Sequence, residues 1–134
     1  MKISVAMATY NGAQYIEEQL ESIRIQTMPV DEVRICDDGS SDDTVEVICH
    51  YIREHGLESS WSVEVNQENL GYASNFMKAV GLTNGDYVFF CDQDDIWIAD
   101  RAERMIGLME AHPDMLLLGS EFDSFVSAKD APSV

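Results

Sequence analysis

Basic residues are scarce. Eight Lys and Arg stand against 25 Asp and Glu in 134 residues, a formal net charge of −17. A surface of that sign repels phosphate backbones and anionic headgroups, which excludes sequence-independent nucleic-acid binding and attraction to anionic membranes. An anionic small ligand would need a metal ion or a local cluster of donors to be held in such a field. Cysteine is sparse as well. Cys36, Cys49 and Cys91 are odd in number and have no CxxC spacing. They fit neither a disulfide framework nor a zinc site, and read as buried thiols in a reducing compartment. Of the three histidines, His50 and His55 fall in or at the end of one helical segment and His112 at the end of another; no chemistry is assigned to them. No apolar run reaches the ~18 residues of a membrane span. The run at 3–8 is too short for a signal-peptide core. A soluble, cytoplasmic chain is expected. With 46% hydrophobic and 25% charged residues, three prolines and no low-complexity linker, the length suits one globular domain. That domain is expected over 1–126, with 127–134 as a tail of small polar residues around Pro132.

Strand-like and helix-like segments alternate along the chain. Ile3 to Ala8 is an apolar run ended by Asn11-Gly12, and Ile16, Leu20 and Ile23 form a helical stripe within 13–26, closed by Pro29. Glu32 to Cys36 reads as a second strand. A helix capped by Ser41 or Asp42 follows, with Val45, Ile48 and Ile52 inward and Gly56 as its stop. Trp61 to Asn66 alternates like a half-exposed strand, and Asn69-Leu70-Gly71 opens a short helix carrying Phe76, Met77 and Val80. After the Asn84-Gly85 turn, Asp86 to Cys91 is apolar enough to be a central strand. Ile98 to Ala111 is a helix with Ala102, Met105, Ile106 and Met109 on its stripe, and Met115 to Leu118 a fifth strand. The alternation predicts an α/β fold, a mainly parallel sheet flanked by helices through right-handed crossovers.

Ligands of open parallel sheets bind beyond the carboxyl ends of the strands. Three polar clusters sit at such ends: Thr9-Tyr10-Asn11-Gly12, Asp37-Asp38-Gly39-Ser40-Ser41-Asp42, and Asp92-Gln93-Asp94-Asp95. The last delivers three carboxylates in four residues behind an apolar strand, where mutual repulsion calls for a cation. Carboxylate oxygens suit Mg²⁺, Mn²⁺ or Ca²⁺, although Asp94 or Asp95 would also sit well at a helix N-terminus. Asp37 to Asp42 reads equally as a turn with an N-cap, or as a place where a buried Asp accepts a ring N–H of uracil or thymine. Tyr10 could stack on that base or pack in the core. The backbone N–H groups of 69–72 could approach phosphate, or form a plain loop.

In this order, Ala8-Thr9-Tyr10-Asn11-Gly12, Asp37-Asp38-Gly39-Ser40-Ser41-Asp42, Asn69-Leu70-Gly71 with Asn75, Gly85-Asp86-Tyr87 and Asp92-Gln93-Asp94-Asp95-Ile96-Trp97 resemble family 2 glycosyltransferases over residues 1–120. The wording of the last motif is most similar to bacterial rhamnosyltransferase-type members. The resemblance implies a Rossmann-like GT-A fold and metal-dependent, inverting transfer of a sugar from a nucleotide-diphosphate donor to an acceptor hydroxyl, in cell-surface polysaccharide synthesis. It implies that Ala8 (through its backbone), Tyr10 and Asp38 hold base and ribose, with Thr9, Gly71 and Asn75 in the same substrate-binding set. Asp92 and Asp94 would hold Mg²⁺ or Mn²⁺, Asp94 the more directly. A UDP- or dTDP-type sugar as donor, a glycan or lipid-linked sugar as acceptor, and room for a homodimer complete the expectation. The family's catalytic base lies further past the metal motif than Glu121 or Asp123, so it is expected beyond the chain end, and the chain would be the nucleotide-binding portion of a longer enzyme. Two alternatives stand beside this: a non-catalytic nucleotide-sugar or metal-binding module, and a receiver-like phosphoacceptor domain.

Overall fold

A computed structural model describes residues 1–92 and 95–112. Four strands and four helices alternate: β1 (Ile3–Thr9), α1 (Ile16–Arg24), β2 (Glu32–Asp37), α2 (Thr44–Glu54), β3 (Trp61–Val65), α3 (Tyr72–Gly81), β4 (Tyr87–Asp92) and α4 (Arg101–Ala111). All pairings are parallel and the sheet order is β3-β2-β1-β4. Strand order reverses beside β1, between β2 and β4, so the topological switch point lies at the carboxyl ends of β1 and β4. A receiver-type sheet runs 2-1-3-4-5. The observed order therefore overturns the receiver-like alternative.

The two-residue period of β1 explains the layers. Ile3, Val5 and Met7 face the main core with Ile16, Leu20 and Ile23 of α1, Ile48 and Ile52 of α2, and Met105 and Ile106 of α4. Ala6 faces the other way and packs with Cys36 and Ala79 under α3. Small residues on that face let α3 lie close to β1 and β2. The end of α2 is set by Gly56, which takes φ 64°, while the Leu57 N–H bonds the Ile52 carbonyl at 2.9 Å and the Gly56 N–H that of Arg53 at 3.2 Å. A left-handed residue is needed there, and glycine adopts that conformation without steric cost.

Several expectations shift. Among the described residues β4 is an edge strand, paired only with β1, and its Phe90 is 46% exposed; the central places go to β1 and β2. Its apolar composition reflects burial of Phe89 and Cys91 on one face together with half-burial of Tyr87 and Val88. Met77, one of the apolar residues carried by α3, is 65% exposed. It lies two residues from buried Ala79, hence on the opposite side of a helix with 3.6 residues per turn, and Asn75 and Phe76 turn inward. Val45 is half-buried, and Thr44, Ile48, Tyr51 and Ile52 form the buried face of α2. The N-cap of α2 is Asp43, one residue beyond the expected cap, because the Asp42 carboxylate accepts the Thr44 N–H from outside the helix. The strand expected at 115–118, the acids Glu121 and Asp123, the domain limit at 126 and the tail at 127–134 lie outside the described residues.

The amino ends of the strands are held by a buried carboxylate. Glu32 accepts the Ser4 hydroxyl at 2.5 Å and the Asn84 N–H at 2.7 Å, and pairs with Arg34 at 2.9 Å and Lys2 at 3.8 Å. Burial would raise its pKa, but these donors and cations outweigh it and hold the group below its ordinary 4.5. A depressed carboxylate stabilises the fold fully above its unfolded pKa and loses that contribution as the pH falls through the folded value. Glu32→Gln is therefore expected to lower the melting temperature at pH 7 and to flatten its decline below about pH 4.5, as read by circular dichroism melts over a pH series. Next to this network, a Cβ on Gly85 would lie 2.3 Å from Ser4 Oγ and 2.9 Å from Ser4 N and the Lys2 carbonyl. Backbone cannot yield as a flexible side chain does. Gly85→Ala is expected to destabilise by about 1–3 kcal/mol in urea titration, and an unchanged midpoint would contradict this packing.

Candidate functional site

Strand register builds the site edge. Ala8 lies opposite Cys36 of β2 and Asp92 of β4, so the chain segments leaving β1, β2 and β4 emerge at one level. After Thr9 the chain turns through Tyr10 and Asn11. Asn11 takes φ 51°, a left-handed conformation that Asn tolerates better than most residues. Its side-chain oxygen accepts the Ser41 N–H at 2.8 Å while its own N–H donates to Ser40 Oγ at 2.8 Å. The Gly12 N–H reaches Thr44 Oγ1 at 2.8 Å and the Ala13 N–H reaches Asp42 Oδ2 at 3.2 Å. The β1–α1 and β2–α2 loops are thus laced together, and Tyr10 projects from them with 47% of its surface exposed. It is not a core aromatic.

The adjacent acids of β2 do different work. Asp37 is fully buried and closes its own turn: its carboxylate accepts the Gly39 N–H at 3.1 Å, the Ser40 N–H at 2.7 Å, the Ser40 hydroxyl at 2.7 Å and the Thr9 hydroxyl at 2.7 Å. The Thr9 side chain is consequently engaged inside the protein. Asp38, 5% exposed, points the other way, toward the segment before α3. Its Oδ1 accepts the Leu70 N–H at 2.7 Å and the Asn66 amide at 2.9 Å, and its Oδ2 accepts the Gly71 N–H at 3.0 Å. Burial would raise the Asp38 pKa; the donors from Leu70, Asn66 and Gly71 outweigh it and keep the group ionised, below its ordinary 3.8. Of the backbone N–H groups at 69–72 expected to approach phosphate, those of Leu70 and Gly71 are taken by this carboxylate. A buried charge costs several kcal/mol unless donors surround it, so the loop turns inward to supply them. Asn75 is 2% exposed, and its amide donates to the Cys36 carbonyl at 2.8 Å and accepts from Asn66 at 2.7 Å.

Asp92 ends β4 half-buried beside Ala8. The Gln19 side chain, fully buried on α1, donates to the Asp92 backbone carbonyl and lies 3.1 Å from Cys91 Sγ. The Tyr72 hydroxyl reaches Asp92 Oδ2 at 3.3 Å, and the Asp95 N–H bonds the Asp92 carbonyl at 3.0 Å. Asp94 lies outside the described residues. Among the described residues no set of three or more His, Cys, Asp or Glu is arranged to hold a metal ion. The segment after the acidic motif is bolted to α1: the Trp97 N–H donates to Ser22 Oγ at 3.0 Å, and Gln26 bonds the Ile98 carbonyl at 2.8 Å and the Ala102 N–H at 2.9 Å. Buried Arg101 stacks its guanidinium 4.2 Å from the Trp97 ring centroid and 5.3 Å from that of Phe89. The three thiols are unpaired with one another, and burial pushes Cys91 up to about 12, so it stays protonated.

The structure therefore brings Ala8, Tyr10, Asp38, Gly71 and Asp92 to one edge, and sets Thr9 and Asn75 behind it. Sequence reading missed Gln19, Gln26, Asn66 and Arg101. For the glutamines a signal existed: Gln19 is three residues past Ile16 and Gln26 three past Ile23, polar groups on an apolar stripe.

Residues 4–130 match the family described as Glycosyl transferase family 2. The dTDP-rhamnosyl transferase RfbG of Shigella flexneri is 40% identical over 104 residues, which is 75% of this chain and 35% of that protein. Among solved structures, residues 1–349 of TarS of S. aureus in complex with UDP superpose with a TM-score of 0.73 at 26% identity, over 91% of this chain and 39% of that one. A mannosyltransferase of Pyrobaculum calidifontis in complex with GDP-Man and Mn²⁺ gives 0.67 at 30% identity, over 73% of this chain and 29% of that one. The chain thus spans between roughly a third and two fifths of the length of most such relatives. With its parallel sheet, its switch-point edge and a family match over nearly its whole length, this chain belongs to glycosyltransferase family 2 and has the GT-A fold.

Proposed function

We propose that this chain binds the donor of a sugar transfer, a nucleotide-diphosphate sugar of the UDP or dTDP type, for delivery to a hydroxyl of a glycan or lipid-linked acceptor. The observation that carries this is the switch-point edge, where the Tyr10 loop lies between the Asp38 carboxylate and Asp92. Asp38 has about four acceptor positions and three are filled, which leaves one on Oδ2 for a ring N–H. Uracil and thymine present such a donor, as does guanine at N1; cytosine and adenine do not. Tyr10, exposed at the same edge, offers a face for the base. Ala8 contributes backbone, while Thr9, Gly71 and Asn75 act by holding Asp37, Asp38 and the loop in place. Names of the similar proteins support the ligand class: one is a dTDP-rhamnosyl transferase, one was solved with UDP and one with GDP-Man and Mn²⁺.

A divalent cation fits the donor set. The half-buried carboxylate of Asp92 is followed within three residues by Asp94 and Asp95, hard oxygen ligands of one sign. Mg²⁺ and Mn²⁺ sites of this kind use one or two carboxylates and complete their shell with phosphate oxygens, so a third protein ligand is not required. Asp92 and Asp94 would hold the ion, which supplies charge neutralisation to the departing diphosphate. Gln19 and Tyr72 orient Asp92, through its carbonyl and its carboxylate respectively. The ion also answers the net charge of −17, since it lets an acidic protein accept an anionic ligand.

Calorimetric titration tests both halves. With Mn²⁺ present, UDP or dTDP is expected to bind more tightly than ADP or CDP. Asp38→Ala should weaken UDP by about 1–3 kcal/mol, the cost of a lost buried hydrogen bond, and narrow the gap to CDP. Equal losses for every base would rule out base reading by Asp38. Asp94→Asn should remove the Mn²⁺-dependent increment in UDP affinity while leaving the thermal melt unchanged or slightly raised, because one repelling charge is gone. An undiminished increment would rule out the metal assignment.

A further inference from the structure

We propose that Asn66 is a positioning residue for base recognition: its amide locks the Asp38 carboxylate in the one orientation that leaves an Oδ2 acceptor position open. This rests on the base-reading role given above to Asp38. Asn66 follows β3, is 7% exposed, and its backbone N–H bonds the Asp37 carbonyl at 2.8 Å, which seats it beside the carboxyl end of β2. Both hydrogens of its amide are used, one toward Asp38 Oδ1 at 2.9 Å and one toward Asn75 Oδ1 at 2.7 Å. Its amide oxygen accepts the Lys78 ammonium at 2.7 Å. Those partners fix which end of the amide is which, because an ammonium can only donate and a carboxylate can only accept. The oxygen must face Lys78 and the nitrogen must face Asp38.

The other donors on Asp38 are backbone N–H groups of a loop, and both come from the α3 side. Among the described residues, Asn66 is the donor that ties the carboxylate to the sheet. Lys78 polarises the amide through its oxygen, and in such a chain each bond strengthens the next. Lys78 also pairs with Glu64 at 3.5 Å, so α3 and the end of β3 are joined at the same place. No residue but Asn meets this set of demands at that reach. Aspartate would put a carboxylate against a carboxylate, and serine can donate only once.

The test is a double-mutant cycle on the whole chain, reading UDP and Mn²⁺-pyrophosphate affinity by calorimetry. Pyrophosphate carries no base and reports general damage to the site. Asn66→Ala is expected to weaken UDP by roughly 3- to 10-fold, the scale of losing one ordered side-chain orientation. It should leave pyrophosphate unchanged and add nothing in the Asp38→Ala background. A loss shared by pyrophosphate, a loss that adds fully to that of Asp38→Ala, or no loss at all would overturn the proposal. If Asn66→Ala is unfolded by circular dichroism, Asn66→Asp keeps the shape and replaces the donor. It should weaken UDP at least as much as expected for the alanine variant and spare pyrophosphate, and retention of wild-type UDP affinity would overturn the proposal. Should Asp38→Ala itself leave UDP affinity untouched, the base-reading role falls, and that result is distinct from a cycle in which Asp38 matters and Asn66 does not.

Discussion

A carboxylate buried at the end of a strand must be surrounded by donors, and much of the site edge follows from how Asp38 meets that requirement. Its position after β2 is set by the sheet, through the Asp38 N–H bonded to the Thr9 carbonyl at 3.0 Å. The donors have to come to it. They arrive as Leu70, Gly71 and Asn66, which draw the loop before α3 and the end of β3 across the edge of β2. Each such charge-assisted bond contributes roughly 1.5–3 kcal/mol, against a burial penalty of several kcal/mol for the ion. Three are enough to keep Asp38 ionised. A site preorganised in this way does not have to reorder its acceptor when a ligand arrives.

The acidic surplus is distributed with the same logic. At the amino ends of the strands Glu32 is offset by Lys2 and Arg34, and its role is to fix Ser4 and the turn at Asn84. At the carboxyl ends Asp37 is satisfied entirely by its own turn and by Thr9. Asp92 ends β4 half-buried with the Tyr72 hydroxyl 3.3 Å from its Oδ2, and two more acids, Asp94 and Asp95, follow it in the sequence.

Fold class, the order of strands and helices, and the strand-end placement of Thr9 to Gly12, Asp37 to Asp42 and Asp92 were legible in the sequence because they rest on local signals. The buried apolar run of β1, the Ile16, Leu20 and Ile23 stripe and the Gly56 stop each appear where expected. Other features depend on tertiary partners. On α3 the polar Asn75 is buried and the apolar Met77 exposed, because Asn75 bonds the Cys36 carbonyl and Asn66. The apolar text of β4 suggests a central strand; among the described residues it pairs with β1. Nor can sequence alone separate Asp37 from Asp38. They are neighbours of one type, and which face of the strand each takes depends on register with β1.

Register also explains how α3 can serve the site at all. The face of the sheet below it is lined by Ala6 and Cys36, and α3 meets them with Ala79. Larger residues there would lift the helix and its first turn away from the sheet edge. Helix and sheet then could not share the bonds from Asn75 to the Cys36 carbonyl or from Gly71 to Asp38, since a hydrogen bond weakens sharply beyond about 3.2 Å. The small side chains therefore help shape the sheet edge from beneath α3. They set the height of α3, α3 sets the loop, and the loop with Asn66 sets the carboxylate.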